Sequence, residues 1–255
     1  MITVSIIGGG NVAFHLATAL NNASGVKLQQ LYNRSEFADG FHQLSTPLVH
    51  SLKDLDAADI FIIAVADDAI RQVSLELPFK DQLVVHTSGS VPMDSLGDQN
   101  RKGVFYALQS FSMNRRIPFD QIPLCLEAEN PEDLQLLKEL GAKITPLRYH
   151  VNSTQRAALH LSAVFVNNFV NHLYFIGQEL CETHQVSFDV LKPLIKETAQ
   201  KITEMTPFDA QTGPARRNDK NTIDKQLTHL TNTQYQSLYS AFTESILTTY
   251  GHQKL

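Results

Sequence analysis

The chain has 255 residues, 43% of them apolar, which on a prior of roughly 150 residues per domain means one large domain or two ordinary ones with a real core. Lys plus Arg total 21 against 26 Asp plus Glu, and a net charge of −5 argues against the basic surface that nucleic-acid binding needs. No run approaches the ~20 apolar residues of a membrane span, no basic leader precedes the first apolar run, and two isolated cysteines, Cys125 and Cys181, suit reduced thiols in a cytoplasmic protein and suggest no metal site.

The first half alternates strand and helix. Residues 3–7 are a β-branched run, and 11–20 read as a helix with Val12, Leu16 and Ala19 on one side. Strands are expected at 26–32, 47–49 and 60–65, the last apolar on both faces as a central parallel strand should be. A helix over 69–77 follows, with Asp68 as its expected N-cap, then strands at 83–86, 104–108 and 124–126. Residues 131–140 form a helix with Pro131 at its start and Gly141 past its end. Composition changes near residue 150. The first 150 residues hold nine of the 12 glycines and the whole net charge, and proline is absent from 147 to 192. Two domains are expected, 1–150 α/β and 151–255 all-helical. The second opens on Asn152-Ser153-Thr154 as N-caps and runs as one helix to about 184. Helices follow at 188–204, interrupted by Pro193, at 222–230 and at 234–250.

Gly8-Gly9-Gly10-Asn11-Val12-Ala13 follows the first strand and opens the first helix, matching G-x-G-x-x-G/A in the context that gives the pattern meaning. Gly8 permits the turn, Gly10 admits a pyrophosphate, and the amides of Asn11 and Val12 offer N–H groups at a helix N-terminus. At the end of the second strand stand Asn33-Arg34-Ser35 in place of the carboxylate that would bind a ribose 2′-hydroxyl. A guanidinium there pairs with a 2′-phosphate, so NADP(H) is expected over NAD(H). The ends of two further strands should border the cofactor, through Val65, Ala66 and Asp67 and through Ser88 and Gly89.

At about 100° per residue, Ser153, Arg156, His160, Asn167 and Asn171 share one stripe of the long helix, with Asn168 about 80° round from His160. Unpaired buried polar groups are costly, so the stripe belongs to a substrate site, faces water, or pairs with other helices. Thr212-Gly213-Pro214 with Arg216 and Arg217 is either an anion clamp or a turn followed by an N-cap at Asp219.

Taken together, Ile6 through Ala13, Tyr32 through Ser35, Ile63 through Ile70, His86 through Ser90, Gln109-Ser110-Phe111-Ser112, Leu159-His160 to Asn168-Phe169 and Thr212 to Asp219 resemble a family of bacterial proteins with a Rossmann-like domain and a C-terminal helical domain of unknown function, labelled candidate NADP oxidoreductases. The chain is more distantly similar to pyrroline-5-carboxylate reductase, ketopantoate reductase, deazaflavin-dependent NADP oxidoreductase and the 6-phosphogluconate dehydrogenase group. The resemblance implies a doubly wound parallel sheet, then an all-α domain of the 6-phosphogluconate dehydrogenase type for substrate and dimerisation. It also implies NADP(H) as cofactor, a small-molecule substrate, and a homodimer through the helical domain. Hydroxyacid dehydrogenases of the wider group place a lysine on the long helix, where this chain offers Arg156, His160 and Asn168. The expected roles are His160 as proton donor or orienter, Asn168 as hydrogen-bond partner of the substrate, and Arg217 as partner of its carboxylate. The alternative is a non-catalytic NADP(H)-binding sensor.

Overall fold

The computed structural model describes residues 1–251 and divides the chain into two compact units, Met1–Phe165 and a second from Val166 onward. Unit 1 is built on eight strands: β1 (Ile2–Ile7), β2 (Val26–Tyr32), β3 (Leu48–Val49), β4 (Ile60–Ile63), β5 (Leu83–His86), β6 (Arg101–Ala107), β7 (Leu124–Ala128) and β8 (Arg148–His150). Their order in the sheet is β3-β2-β1-β4-β5-β6-β7-β8. All neighbours are parallel except β6 and β7, which run antiparallel. Strand order reverses at β1, between β2 and β4, and in such sheets the crevice beyond the strands' carboxyl ends at that point is the ligand site.

Both faces of the sheet are covered, which is why the central strands read as unbroken apolar runs. Ile6, Ile62, Val85 and Phe105 point to one face, where α1 (Asn11–Asn21) and α3 (Pro131–Ala142) add Leu16, Leu20, Leu137 and Leu140. Ile7, Phe61, Ile63 and Val84 point to the other, with Ile70 of α2 (Ile70–Glu76) and Leu96. The first helix of the second half, α4 (Ser153–Ala163), belongs to unit 1. Asn152 caps it in a reciprocal capping box with Gln155.

Unit 2 holds α5 (Val170–Thr183), α6 (Lys192–Glu204), the short α7 (Pro207–Ala210), α8 (Lys220–His229) and α9 (Thr233–Tyr250). The Tyr235 hydroxyl on α9 donates to the Glu179 carboxylate on α5, and the Tyr239 hydroxyl donates to Gln226 on α8 at 2.7 Å. No helix among the described residues is long and apolar enough to cross a membrane.

Several expectations need correction. Pro193 does not interrupt a helix; it lies in the first turn of α6, where its missing N–H costs nothing, after a separate 3₁₀ turn at Phe188–Leu191. Asp68 caps nothing, because the helical backbone begins with a 3₁₀ turn at Asp67–Ala69 that has no side-chain cap. The long helix is not uniform either: Val164–Phe169 is π-helical. A π turn takes up more residues than an α turn, so the constant angular step behind the polar stripe fails from Val164 onward. Finally, β8 is an edge strand of three exposed residues that carries no apolar alternation to reveal it.

Candidate nucleotide-binding and catalytic site

The loop after β1 fits the switch-point crevice through its glycines. Gly8 has φ +139°, a left-handed conformation, and a Cβ there would lie 2.1 Å from the Ala64 carbonyl oxygen. Its N–H donates to the Tyr32 carbonyl at 2.7 Å, so the turn is fixed between β2 and the end of β4. At Gly9 a Cβ would meet the Asn33 side-chain nitrogen at 2.5 Å, so any larger residue there has to displace the Asn33 amide. Gly10 differs. It is the N-cap of α1, makes no side-chain cap bond, and has open space where a Cβ would stand. The first-turn amides of α1 thus have no side-chain cap to accept from them.

These residues line a cleft of about 630 Å³. Nine of the expected cofactor residues meet there: Gly8, Gly10, Asn11, Val12, Asn33, Arg34, Ser35, Val65 and Ala66. Within it, Asn11 and Asn33 spend their side chains on the protein. The Asn11 amide donates to the Phe111 carbonyl at 3.1 Å, and the Asn33 amide donates to the carbonyls of Ser35 at 2.9 Å and Glu36 at 3.2 Å. Asn33 therefore shapes the loop that presents Arg34 and Ser35, both exposed. The cleft is also lined by Ala69 of the 3₁₀ turn and by Gln72, Val73 and Glu76 of α2; the motif reading does not reach these last three, and their spacing of three and four from Ala69 is the helical signal that marks them. The Gln109 to Ser112 segment acts from behind. Phe111 stacks on His15 with ring centroids 4.8 Å apart, and the His15 Nε2 lies 3.0 Å from the Ser112 carbonyl.

Asp67, Ser88 and Gly89 do not line this cleft; they belong to a polar network at the ends of β4 and β5. The Ser90 hydroxyl donates to Asp67 at 2.6 Å, and the Ser88 hydroxyl accepts from the amides of Ser90 at 3.1 Å and Val91 at 3.0 Å. Arg156, in the first turn of α4 and 1% exposed, is built into this network and is structural. It donates to the carbonyls of Ser88 and Val91 and pairs with Glu127 of β7. His86 ends β5 with its ring buried beside that guanidinium. Burial first, then the Arg156 charge, holds its imidazole at about 4, partly offset by the Pro92 carbonyl and by Asp67. It is neutral at neutral pH, with Nδ1 accepting from the Ser88 amide at 3.2 Å.

One turn beyond Arg156, His160 places Nδ1 3.1 Å from the Tyr106 hydroxyl of β6. The rings meet edge to face, 6.1 Å between centroids. Both lie over Gly89, where a Cβ would fall 2.5 Å from His160 Nδ1 and 2.9 Å from Tyr106 Cζ. Gly89 is small because these rings pack on it. Tyr106 was missed by the motif reading, because an inward-facing aromatic on a strand reads as core.

In unit 2, Asn168 lies in the π-helical segment with its amide exposed and without a hydrogen bond among the described residues. The two arginines of the Gly-Pro turn divide their roles. Arg216 stacks 4.7 Å over the Tyr250 ring and donates to the Tyr250 carbonyl at 3.2 Å, whereas Arg217 is exposed, its charge acting on the nearby Asp219 carboxylate without a hydrogen bond to it. Asp219 caps α8 through the Thr222 amide at 3.1 Å. No group of three or more His, Cys, Asp or Glu side chains among the described residues is arranged to hold a metal ion.

Residues 122–246 match the domain of unknown function DUF2520. No curated protein matches the chain. Among solved structures, a candidate NADP oxidoreductase from Bacteroides fragilis is 36% identical with TM-score 0.88, the match covering 96% of this chain and 97% of that one. An imine reductase from Myxococcus stipitatus in complex with NADP+ is 16% identical with TM-score 0.66, covering 98% and 96% of the two chains. A pyrroline carboxylate reductase from Plasmodium falciparum with NADP bound is 14% identical with TM-score 0.60, covering 96% and 98%. The last two are alike in fold. At 36% identity over nearly the full length of both chains, the protein belongs to the family of the Bacteroides fragilis protein, a Rossmann-like domain followed by a helical domain.

Proposed function

We propose that the chain is an NADP(H)-dependent oxidoreductase acting at the carbonyl or imine carbon of a small metabolite. One observation carries this reading: uncapped amides at the start of α1 face a crevice that Gly10 leaves open, and Arg34 and Ser35 line the same crevice. A pyrophosphate takes the partial positive charge and free N–H groups of Asn11 and Val12. The guanidinium of Arg34 and the hydroxyl of Ser35 suit a 2′-phosphate. A bound nicotinamide supplies or accepts the hydride. His160 is the proton donor or the group that orients the substrate. Asn168 hydrogen-bonds the substrate, and Arg217 pairs with its carboxylate. The exposure of the Asn168 amide and the Arg217 guanidinium supports these roles.

Titration of NADPH, followed by its own fluorescence in a protein without tryptophan, tests the reading. Arg34→Ala should weaken NADPH binding about 10–100-fold, the equivalent of one charged hydrogen-bonding contact, and leave NADH binding unchanged. Absence of binding by either nucleotide overturns the proposal.

The same reading includes a cytoplasmic homodimer formed through the helical domain. In unit 2 the only buried apolar side chains are Ile176, Ala215 and Tyr250, among the described residues, while Val166, Phe175, Val190, Leu194 and Ile202 are all exposed by half or more. So much exposed apolar surface favours a subunit interface. Cys125 and Cys181 are free thiols, which suits a reducing compartment. Light scattering should give twice the chain mass, and a monomer at micromolar concentration would remove the dimer from the proposal.

A further inference from the structure

Unit 1 contains a histidine–tyrosine pair that the nucleotide motif does not account for. Tyr106 lies in β6 opposite Cys125 of β7 and is 8% exposed. Burial pushes its phenol up to about 12, with the neighbouring Cys125 adding to the effect and Arg156 opposing it. The hydroxyl thus keeps its proton throughout the ordinary pH range. Its hydrogen-bond partner among the described residues is His160 Nδ1, at 3.1 Å. That proton therefore has one acceptor to go to.

We propose that Tyr106 is a positioning residue for His160: its hydroxyl donates to Nδ1 and so fixes the tautomer whose proton sits on Nε2. The proposal rests on the oxidoreductase reading and deepens its orienting side: a neutral ring held in this tautomer presents Nε2–H as a hydrogen-bond donor to the substrate's carbonyl oxygen. The opposite arrangement, Nδ1–H donating to the phenol oxygen, would leave the phenol's own hydrogen without an acceptor among the described residues.

The surroundings hold the ring pair in place. Gly89 leaves room for both rings directly over its backbone. The start of α4 is pinned by Glu127, which accepts from the Ser153 amide at 2.8 Å and from Arg156. His160, one turn on, therefore has little freedom to move away from Tyr106. No other hydrogen bond of the His160 ring is formed among the described residues, so Nε2 is the nitrogen left for a ligand.

The test is nitrogen NMR of protein labelled only in its histidines, free of nucleotide, at alkaline pH where imidazole is neutral. His160→Gln identifies the His160 signals by their loss. The expected result is a protonated Nε2 and an unprotonated, hydrogen-bonded Nδ1 in the unmodified protein. Tyr106→Phe should then shift both nitrogens toward the averaged values of an unrestrained ring while leaving NADPH binding unchanged. Protonation at Nδ1 in the unmodified protein overturns the proposal, and this holds even if the phenylalanine variant does not fold. An unchanged His160 spectrum in Tyr106→Phe overturns it equally. If the unmodified protein fails to bind NADPH, the oxidoreductase reading fails, while the tautomer result still stands or falls by itself.

Discussion

Glu127→Ala should destabilise the protein by about 3–5 kcal/mol, the usual consequence of removing one partner from a buried ion pair. Arg156 is 1% exposed, and Glu127 is its ion-pair partner. The two carbonyls that the guanidinium also contacts, of Ser88 and Val91, accept hydrogen bonds but cannot neutralise it. The same carboxylate accepts from the amide and hydroxyl of Ser153, so it also serves the N-terminus of α4, where negative charge is favoured. The substitution removes both functions at once. A shape-matched replacement of both residues by apolar side chains, Glu127→Leu with Arg156→Met, should recover much of the loss, because no buried charge then remains unpaired. Chemical denaturation midpoints of the two proteins decide the matter. A loss below about 1 kcal/mol in Glu127→Ala would mean that the guanidinium finds water or another acceptor.

This ion pair shows where the sequence stops being readable. Arg156 and His160 look alike on a helical wheel, two polar residues one turn apart on an apolar helix. What separates them is the position of Glu127, on a strand 29 residues earlier, and the main-chain carbonyls of Ser88 and Val91. Local periodicity carries no information about such distant partners. The same holds for Tyr106, whose hydroxyl acquires a role only because α4 brings His160 across the end of β6. The cleft at the glycine turn is legible for the opposite reason. Its determinants, Gly8, Gly10 and the first turn of α1, lie within one strand–turn–helix unit, and the second-strand loop is tied to them by adjacency in the sheet. Between these extremes stands the long helix. Its start was evident from Asn152 and Gln155, but nothing in the residues themselves announced the π-helical segment at Val164–Phe169.

The two outer glycines of the motif should fail in different ways, and the contrast bears on function. At Gly8, a methyl group meets the Ala64 carbonyl at 2.1 Å, and the atom it strikes is backbone, which no rotamer change can move aside. The Ala64 amide donates to the Ile7 carbonyl at 2.7 Å, so relief would require β1 and β4 to part at the crevice. Gly8→Ala should therefore combine the strain of φ +139°, about 1–3 kcal/mol, with an overpacking cost of about the same size. That sum is a large share of the about 5–15 kcal/mol that holds a domain together. At Gly10, φ is −87° and a Cβ meets nothing within 4 Å. Gly10→Ala should cost about 1 kcal/mol or less, the scale of an altered N-cap. The added methyl nevertheless stands at the mouth of the α1 amides, where the proposed pyrophosphate must approach, so NADPH binding should fall at least about tenfold, or 1.4 kcal/mol. Denaturation and NADPH titration on both variants separate the two effects. Native-like NADPH affinity in a stably folded Gly10→Ala would show that the open space above this helix is not where the cofactor's phosphates bind.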